Sequence, residues 1–169
     1  MANVYLAGAI ERAPNGYAEK WRDDITPILA QLGLNVINPI IADENKPEWV
    51  NNLPEWKVTN LDKYRDITKR FIIQRDYDFV RSCVGGGFVI ALWDEYCAKG
   101  AGTACEISEA GELSVPTLIV SKVPIVEIPG WLLGASYPAP VFDRSETKEV
   151  SVDDFYGAID YIKNNIRRC

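Results

Sequence analysis

"NVYLAGA" (residues 3–9) is a short apolar run that ends in small residues, which is typical of a β-strand. It is followed by "GYAEKWRDDITPILAQLG" (16–33), in which apolar residues recur at helical spacing and Gly33 supplies a stop. "LNVINP" (34–39) then predicts a second strand. A strand, a helix and a strand in this order predict a βαβ unit and a mostly parallel sheet.

The same alternation continues through the rest of the chain. Further strands are predicted at 85–93, 116–121 and 139–143, and further helices at 61–82, 103–113 and 152–166. The 169 residues show no internal repeat and no interdomain linker, and they suffice for one hydrophobic core. The predicted fold is α/β: a single Rossmann-like (flavodoxin-like) domain over residues 1–169, with about five mostly parallel strands and helices on both faces.

Residues 40–60 interrupt the pattern, because two prolines and two tryptophans occur there without sustained periodicity. We predict a long loop, in which Trp49 and Trp56 offer a flat apolar surface for a lid or binding loop, or anchor the loop to the core. In the helix predicted after it, the residues at helical spacing form an expected buried stripe: Leu61, Tyr64, Ile67, Phe71 and Ile72.

The composition bears on the partners and the compartment of the protein. The net charge of −6 disfavours a nucleic-acid polymer as partner, since phosphate backbones bind surplus Lys and Arg. No run reaches about 18 apolar residues, and the N-terminus does not read as a signal peptide, so we expect a cytoplasmic protein with no membrane partner. The cysteines lack paired spacing and are expected to be free thiols: Cys83, Cys97, Cys105 and Cys169.

The chain contains no histidine, which excludes Ser-His-Asp and Cys-His catalysis and the histidine-dependent zinc motifs. Any acid, base or nucleophile must then be a carboxylate, Tyr, Lys, Cys, Ser or Thr. The glycine patterns do not favour a dinucleotide site, because "GAGTAC" lacks the third glycine of the fingerprint. We expect neither a cofactor nor a metal.

Glu106 lies in "GAGTACEISEAGEL" (100–113), just past the strand predicted at 85–93. Thr103 and Glu106 fit the S/T-x-x-E capping box, in which the glutamate bonds back to the cap residue's amide. The spacing alone favours that capping role. A second role stays open, because a helix N-terminus keeps a carboxylate ionised and small neighbours leave room for a substrate of a nucleophilic glutamate.

Other candidates lie near the carboxyl ends of the strands, where ligands bind in such sheets. Asp76 and Asp78, in "QRDYDFV", are typical of charges on a solvated helix face. Asp94 comes directly after a strand, as an ordinary loop residue does. Tyr5 alternates with apolar residues along the first strand and could belong to the core.

Taken together, "VYLAGAIE", "RDYDFV" and "GTACEISEA" resemble segments of the nucleoside 2-deoxyribosyltransferase superfamily, which includes nucleoside 5′-monophosphate N-glycosidases. The resemblance covers roughly residues 3–120, and the segment around Glu106 is its most specific part. It implies that Glu106 attacks the anomeric carbon and forms a covalent glycosyl-enzyme. The substrates are then a small nucleoside or nucleotide and a free nucleobase.

The resemblance also implies roles for other residues. Asp76 holds and protonates the leaving base, with Asp78 as the alternative, and Tyr5 orients the nucleophile. Gly8 lets the backbone approach the base, and Gly102 and Thr103 line the substrate position. Relatives often complete the pocket with a neighbouring subunit, so a homo-oligomer is expected.

Two positions depart from the family pattern. Gly100 replaces an aspartate that binds the sugar hydroxyls in transferases, or a serine that contacts the 5′-phosphate in hydrolases. Glycines 85–87 replace an aspartate that is common before the third strand. Asp94 could take over sugar binding, and Lys99 could meet a phosphate as a point charge.

The favoured function is nucleoside 2-deoxyribosyl transfer through a glycosyl-glutamate. Hydrolysis of a (deoxy)nucleoside 5′-monophosphate is the first alternative. The second is a non-catalytic nucleotide-binding module with Glu106 as a cap, which fold analogy alone does not exclude.

Overall fold

The computed structural model describes residues 1–40 and 47–166. Their strands form one sheet in the order β2-β1-β3-β4-β5, and every neighbouring pair is parallel. This is the flavodoxin-like strand order. The chain adds β2 on one side of β1 and the later strands on the other side, so the topological switch point lies between β1 and β3. The predicted α/β, Rossmann-like fold is confirmed. The strands are β1 Asn3–Ala7, β2 Asn35–Ile37, β3 Phe88–Trp93, β4 Thr117–Ser121 and β5 Val141–Asp143.

Helices cover both faces of the sheet. Their bounds are α1 Tyr17–Gln31, α2 Glu48–Thr59, α3 Leu61–Ile67, α4 Gln74–Arg81, α5 Gly102–Glu112, α6 Gly130–Ser136 and α7 Tyr156–Asn165. Short 3₁₀ turns occupy Cys97–Lys99, Ile125–Glu127 and Val152–Phe155, and a π-helical turn at Thr68–Ile73 joins α3 to α4.

Side-chain alternation along β1 sends residues to two separate apolar clusters. Val4 and Leu6 face α1 and α7, where Trp21 stacks on Phe155 with ring centroids 5.2 Å apart. Tyr5 and Ala7 face the opposite cluster, which α4, α5 and α6 complete. The first strand therefore joins both halves of the core, and Tyr5 lies on the α5 side.

The loop predicted over 40–60 is wrong for its second half, because Glu48–Thr59 is helical; residues 41–46 lie outside the described residues. No residue of α2 is buried. Because the helix buries no face in the core, its sequence lacks the periodic apolar residues by which a helix is recognised. Trp49 contacts Phe71 with ring centroids 5.5 Å apart, and the Lys63 ammonium lies 3.7 Å from the Trp56 ring centroid. Both tryptophans therefore contact the helical turns that follow.

The buried stripe expected from Leu61 to Ile72 is also wrong, although the segment is helical. Leu61 and Phe71 are exposed, and the other three members are only half-buried. The segment Glu48–Ile73 packs mainly on itself and on α4, which keeps its apolar side chains away from the sheet. A helix was also missed within the Pro- and Gly-rich connection after β4, where α6 begins after Pro129.

The glycines before β3 have a structural reason. Gly85 and Gly86 have positive φ angles of 86° and 121°, which form the turn after α4. A Cβ on Gly87 would lie 2.5 Å from the Asn3 carbonyl oxygen, so only glycine fits beside β1. Gly85–Gly87 thus allow the chain to turn after α4 and to enter the sheet next to β1.

Three of the predicted free thiols are confirmed: Cys83 and Cys97 are buried, and Cys105 is exposed. Cys169 lies outside the described residues. Within residues 1–40 and 47–166, no helix is long and apolar enough to cross a membrane.

The α5–α6 contact yields a stability prediction. A Cβ on Gly111 would lie 2.7 Å from the Ala135 carbonyl oxygen, which is backbone and cannot rotate away. We expect Gly111→Ala to lower the free energy of unfolding by about 1–3 kcal/mol in urea titrations. Gly134→Ala in α6 is the control, because a Cβ there meets nothing within 4 Å and alanine favours the helix. Equal effects of the two variants would contradict the close packing.

Candidate active site

The candidate site is built on a hydrogen bond between β1 and α5. The Tyr5 hydroxyl donates to Glu106 Oε1 at 2.7 Å, and both residues are buried. Parallel pairing of β1 with β3 brings Tyr5 near the helix that follows β3, although 101 positions separate the two residues in sequence. The carboxylate thus faces the first strand from within the first turns of α5.

The capping box expected from spacing is not formed. Ala101 is the cap residue of α5, and no side chain caps the helix. Thr103 is already the second helical residue, and its Oγ1 lies 3.5 Å from the Cys97 thiol. Because Glu106 turns to Tyr5 rather than to the Thr103 amide, the capping interpretation is wrong.

Burial raises the pKa of Glu106 from its ordinary value to about 7, despite the Tyr5 hydrogen bond, which lowers that pKa. The negative charge of Asp76 raises it further, and the positive charges of Arg22 and Arg75 lower it. Glu106 Oε2 is buried and has no hydrogen-bond partner among the described residues. One carboxylate oxygen therefore keeps an unused capacity to accept a hydrogen bond.

Asp76 is the second carboxyl group whose charge acts at this site. It lies in the first turn of α4, largely buried, and burial raises its pKa, whereas Arg75 lowers it. Arg75 Nε donates to Asp76 Oδ1 at 2.8 Å. The charge of Asp76 also raises the pKa of Tyr5. Asp76 therefore acts on both members of the Tyr5–Glu106 pair.

Asp78 points elsewhere. Its side chain is 60% exposed and accepts hydrogen bonds from Gln74 and Arg81 on the same helix. It is therefore a solvated helix charge, as its sequence context indicated, and the structure does not bring it to Glu106.

Asp94 is held in place rather than placed to swing toward a substrate. It is buried, and its carboxylate accepts hydrogen bonds from the Tyr17 hydroxyl at 2.8 Å and from the amides of Tyr96 and Cys97. The expected flexible sugar ligand is thus a tether between the start of α1 and the turn after β3.

Lys99 is exposed, and its Nζ lies 3.6 Å from Glu95 Oε2. Beside it, a Cβ on Gly100 would approach only Arg12 Cγ, at 4.0 Å, and one on Gly102 would meet nothing within 4 Å. The surface at the start of α5 is therefore open. Gly8 differs, because a Cβ there would lie 3.0 Å from Trp21 and 3.2 Å from Arg22.

A surface cavity of about 420 Å³ lies on another side of α5, between α5 and α6, and Tyr77, Cys105 and Trp131 contribute to its lining. Glu106 does not line it. The cavity and the buried carboxylate are thus separate features of the same helix.

Sequence reasoning missed Arg22, which is fully buried, and Arg75. The buried positions of α1 are 18, 21, 22, 25 and 29, so Arg22 occupies the apolar stripe that the helical spacing predicts. A basic residue on that stripe was the available signal. Arg75 adjoins Asp76 in sequence and showed no comparable signal.

Comparisons with family models, curated proteins and solved structures found no match. Among the described residues, no group of three or more His, Cys, Asp or Glu side chains could hold a metal ion.

The raised pKa of Glu106 predicts a pH dependence of stability. The folded protein holds this proton up to about pH 7, whereas the unfolded chain releases it near about pH 4.3. Its stabilising contribution is thus full below about pH 4.3 and is lost as pH rises toward 7. Between those values, wild type should lose roughly 3 kcal/mol of unfolding free energy relative to Glu106→Gln in urea titrations.

Glu109→Gln is the matched control for this titration. Glu109 lies on the same helix, but its carboxylate pairs with Arg81 at the surface, 2.8 Å away. A stability difference between wild type and Glu106→Gln that stays constant from pH 4 to pH 8 would contradict the buried, proton-holding carboxyl group.

Proposed function

We propose that this chain is an enzyme of N-glycosyl bonds that acts on nucleosides or nucleotides, with Glu106 as its nucleophile. The observation that carries the proposal is the buried Glu106 carboxylate, oriented by Tyr5 through Oε1 while Oε2 has no hydrogen-bond partner within residues 1–40 and 47–166. A carboxylate with these properties suits attack on an electrophilic carbon. The resemblance of "GTACEISEA" to the deoxyribosyltransferase superfamily supports the same role.

In the proposed reaction, an oxygen of ionised Glu106 attacks the anomeric carbon of the sugar. The bond from that carbon to the base nitrogen breaks, and its electron pair leaves with the base. An acceptor then attacks the same carbon from the other side and releases Glu106, so two inversions retain the anomeric configuration. Tyr5 fixes the direction of the carboxylate in both steps.

Asp76 is the proposed proton donor to the departing base. Burial favours its protonated form, and Arg75 holds Oδ1 by a hydrogen bond, which orients the carboxyl group. Exposed Asp78 lacks both properties. This assignment gives the two carboxyl groups different tasks, one as nucleophile and one as acid.

We propose transfer of 2-deoxyribose from a nucleoside to a free base as the favoured outcome, since the quoted segments resemble the transferase branch. The enzyme acts in the cytoplasm without a cofactor and as a homo-oligomer. Exposed apolar side chains such as Trp131 and Val126 are compatible with contacts between subunits.

Hydrolysis of a nucleoside 5′-monophosphate is a second candidate, and Arg12 supports it. Arg12 lies on the loop after β1, exposed, with Cγ beside Gly100. Its guanidinium could therefore reach a phosphate near the start of α5.

The nucleophile and acid are tested by base release from a panel of deoxynucleosides and their monophosphates, followed by chromatography. Glu106→Gln should lower turnover at least about 10³-fold while the protein stays folded, because the amide preserves the side chain's shape. Asp76→Asn should slow turnover about 10²–10⁴-fold. Glu109→Gln and Asp78→Asn are the controls and should remain close to wild type. Full activity of Glu106→Gln would overturn the proposed mechanism.

Adding labelled free base to the same assay distinguishes transfer from hydrolysis. A transferase incorporates the label into nucleoside, whereas a hydrolase only releases base. If the substrate is a monophosphate, Arg12→Ala should raise its KM about tenfold or more and spare the unphosphorylated nucleoside. Lys99→Ala tests in the same assay whether Lys99 contacts the 5′-phosphate, as the sequence suggested. Steady base release without incorporation would replace the transferase by the hydrolase.

A further inference from the structure

Arg22 is a fully buried arginine near the candidate site, and the hydrogen-bond acceptors of its guanidinium among the described residues are neutral backbone carbonyls. Nε donates to the Leu6 carbonyl at 3.2 Å, one terminal nitrogen to Ala18 at 2.7 Å and the other to Gly8 at 3.0 Å. No ion pair to Arg22 is found among the described residues. A positive charge is thus buried without a directly bonded counter-ion.

Two of these bonds attach the guanidinium to the end of β1, and the third returns to its own helix at Ala18. Leu6 and Gly8 lie one and three residues after Tyr5, the donor to Glu106. The guanidinium carbon also lies 4.3 Å from the Trp21 ring centroid, and glycine at position 8 leaves the space that Trp21 and Arg22 fill. Arg22 therefore helps to hold the strand end that carries Tyr5.

The charge of Arg22 also acts on the candidate catalytic groups. It lowers the pKa of Glu106, of Asp76 and of Tyr5, and the charge of Glu106 in turn raises the pKa of Arg22. Burial has the opposite and larger effect on Arg22, lowering its pKa to about 10, which leaves the guanidinium charged at neutral pH.

We propose that Arg22 is a positioning residue for the site: one buried cation that holds the end of β1 and favours the ionised form of Glu106. The inference rests on the proposed role of Glu106 as nucleophile. A nucleophile must be ionised, and a fixed positive charge within the fold stabilises that form where water is excluded. Arg22 needs no contact with substrate to act in this way.

Several other groups act on the pKa of Glu106, and their effects must be separated from the effect of Arg22. Tyr5 faces it from β1, and Asp76 and Arg75 act from α4. Around Arg22 itself, Tyr5, Glu106, Cys97 and Glu19 raise the pKa of the guanidinium. The test therefore changes Arg22 while these groups are left in place.

The experiment follows the carboxyl carbon of Glu106 by ¹³C NMR through a pH titration of the full chain labelled at glutamate. The Glu106 signal is identified by its loss in Glu106→Gln. Arg22→Met and Arg22→Gln should raise its midpoint by about one pH unit or more, because the positive charge is gone. Arg22→Lys should keep the midpoint close to wild type. Lys20→Met, which removes an exposed charge from the same helix, should also leave it unchanged.

The pH–rate profile supplies a second readout. The rise of turnover with pH should move upward by the same amount in the neutral variants and be restored in Arg22→Lys. An unmoved midpoint in folded Arg22→Met overturns the inference even if the enzyme is active. Wild-type inactivity overturns the proposed function and leaves the NMR result standing. If neither neutral variant folds, Arg22→Lys decides: a midpoint close to wild type supports the role of the charge, and a midpoint raised by a full unit overturns it.

Discussion

The hydrogen bond from Tyr5 to Glu106 is the constraint on which the site depends. It joins β1 to the helix that follows β3. The topological switch point of a sheet with strand order 2-1-3-4-5 lies between these two strands. A buried carboxylate costs several kcal/mol unless its surroundings compensate. Here the compensation is partial: one oxygen is bonded, the other has no hydrogen-bond partner in the part of the chain that the structure describes, and the pKa stays near 7. Such incomplete satisfaction is typical of groups that do chemistry.

The fold supplies that partial compensation from several elements. Tyr5 comes from β1, Arg22 from α1 and Arg75 from α4, whereas the charge of Asp76, also on α4, acts against them. Two of the glycines fit the same arrangement: Gly8 admits Trp21 and Arg22, and Gly87 admits the close approach of the chain to β1. A site assembled from separate elements has a geometry set by packing across the core, which is the rigid part of the domain.

Sequence patterns predicted the architecture well because core packing leaves a period in the sequence. The five strands and the helices α1, α5 and α7 follow that period, whereas α2, which buries no residue, left none to detect. Spacing could not decide the role of Glu106, since a capping box and a nucleophile share the same pattern. It also gave no account of Asp94, because the Tyr17 partner lies 77 positions away, or of Arg22, whose bonds go to backbone carbonyls.

The central claim is that a sugar becomes attached to Glu106, and a trapped intermediate tests it most directly. Fluorine next to the anomeric carbon slows both steps by opposing the positive charge that develops there. After incubation with 2′-fluorinated deoxynucleosides and their monophosphates, mass spectrometry of the digested protein should find one glycosyl adduct, on the peptide that contains Glu106. The account predicts no adduct in Glu106→Gln. A glycosylated peptide elsewhere in the chain, or base release by wild type that continues unchanged in Glu106→Gln, would contradict it.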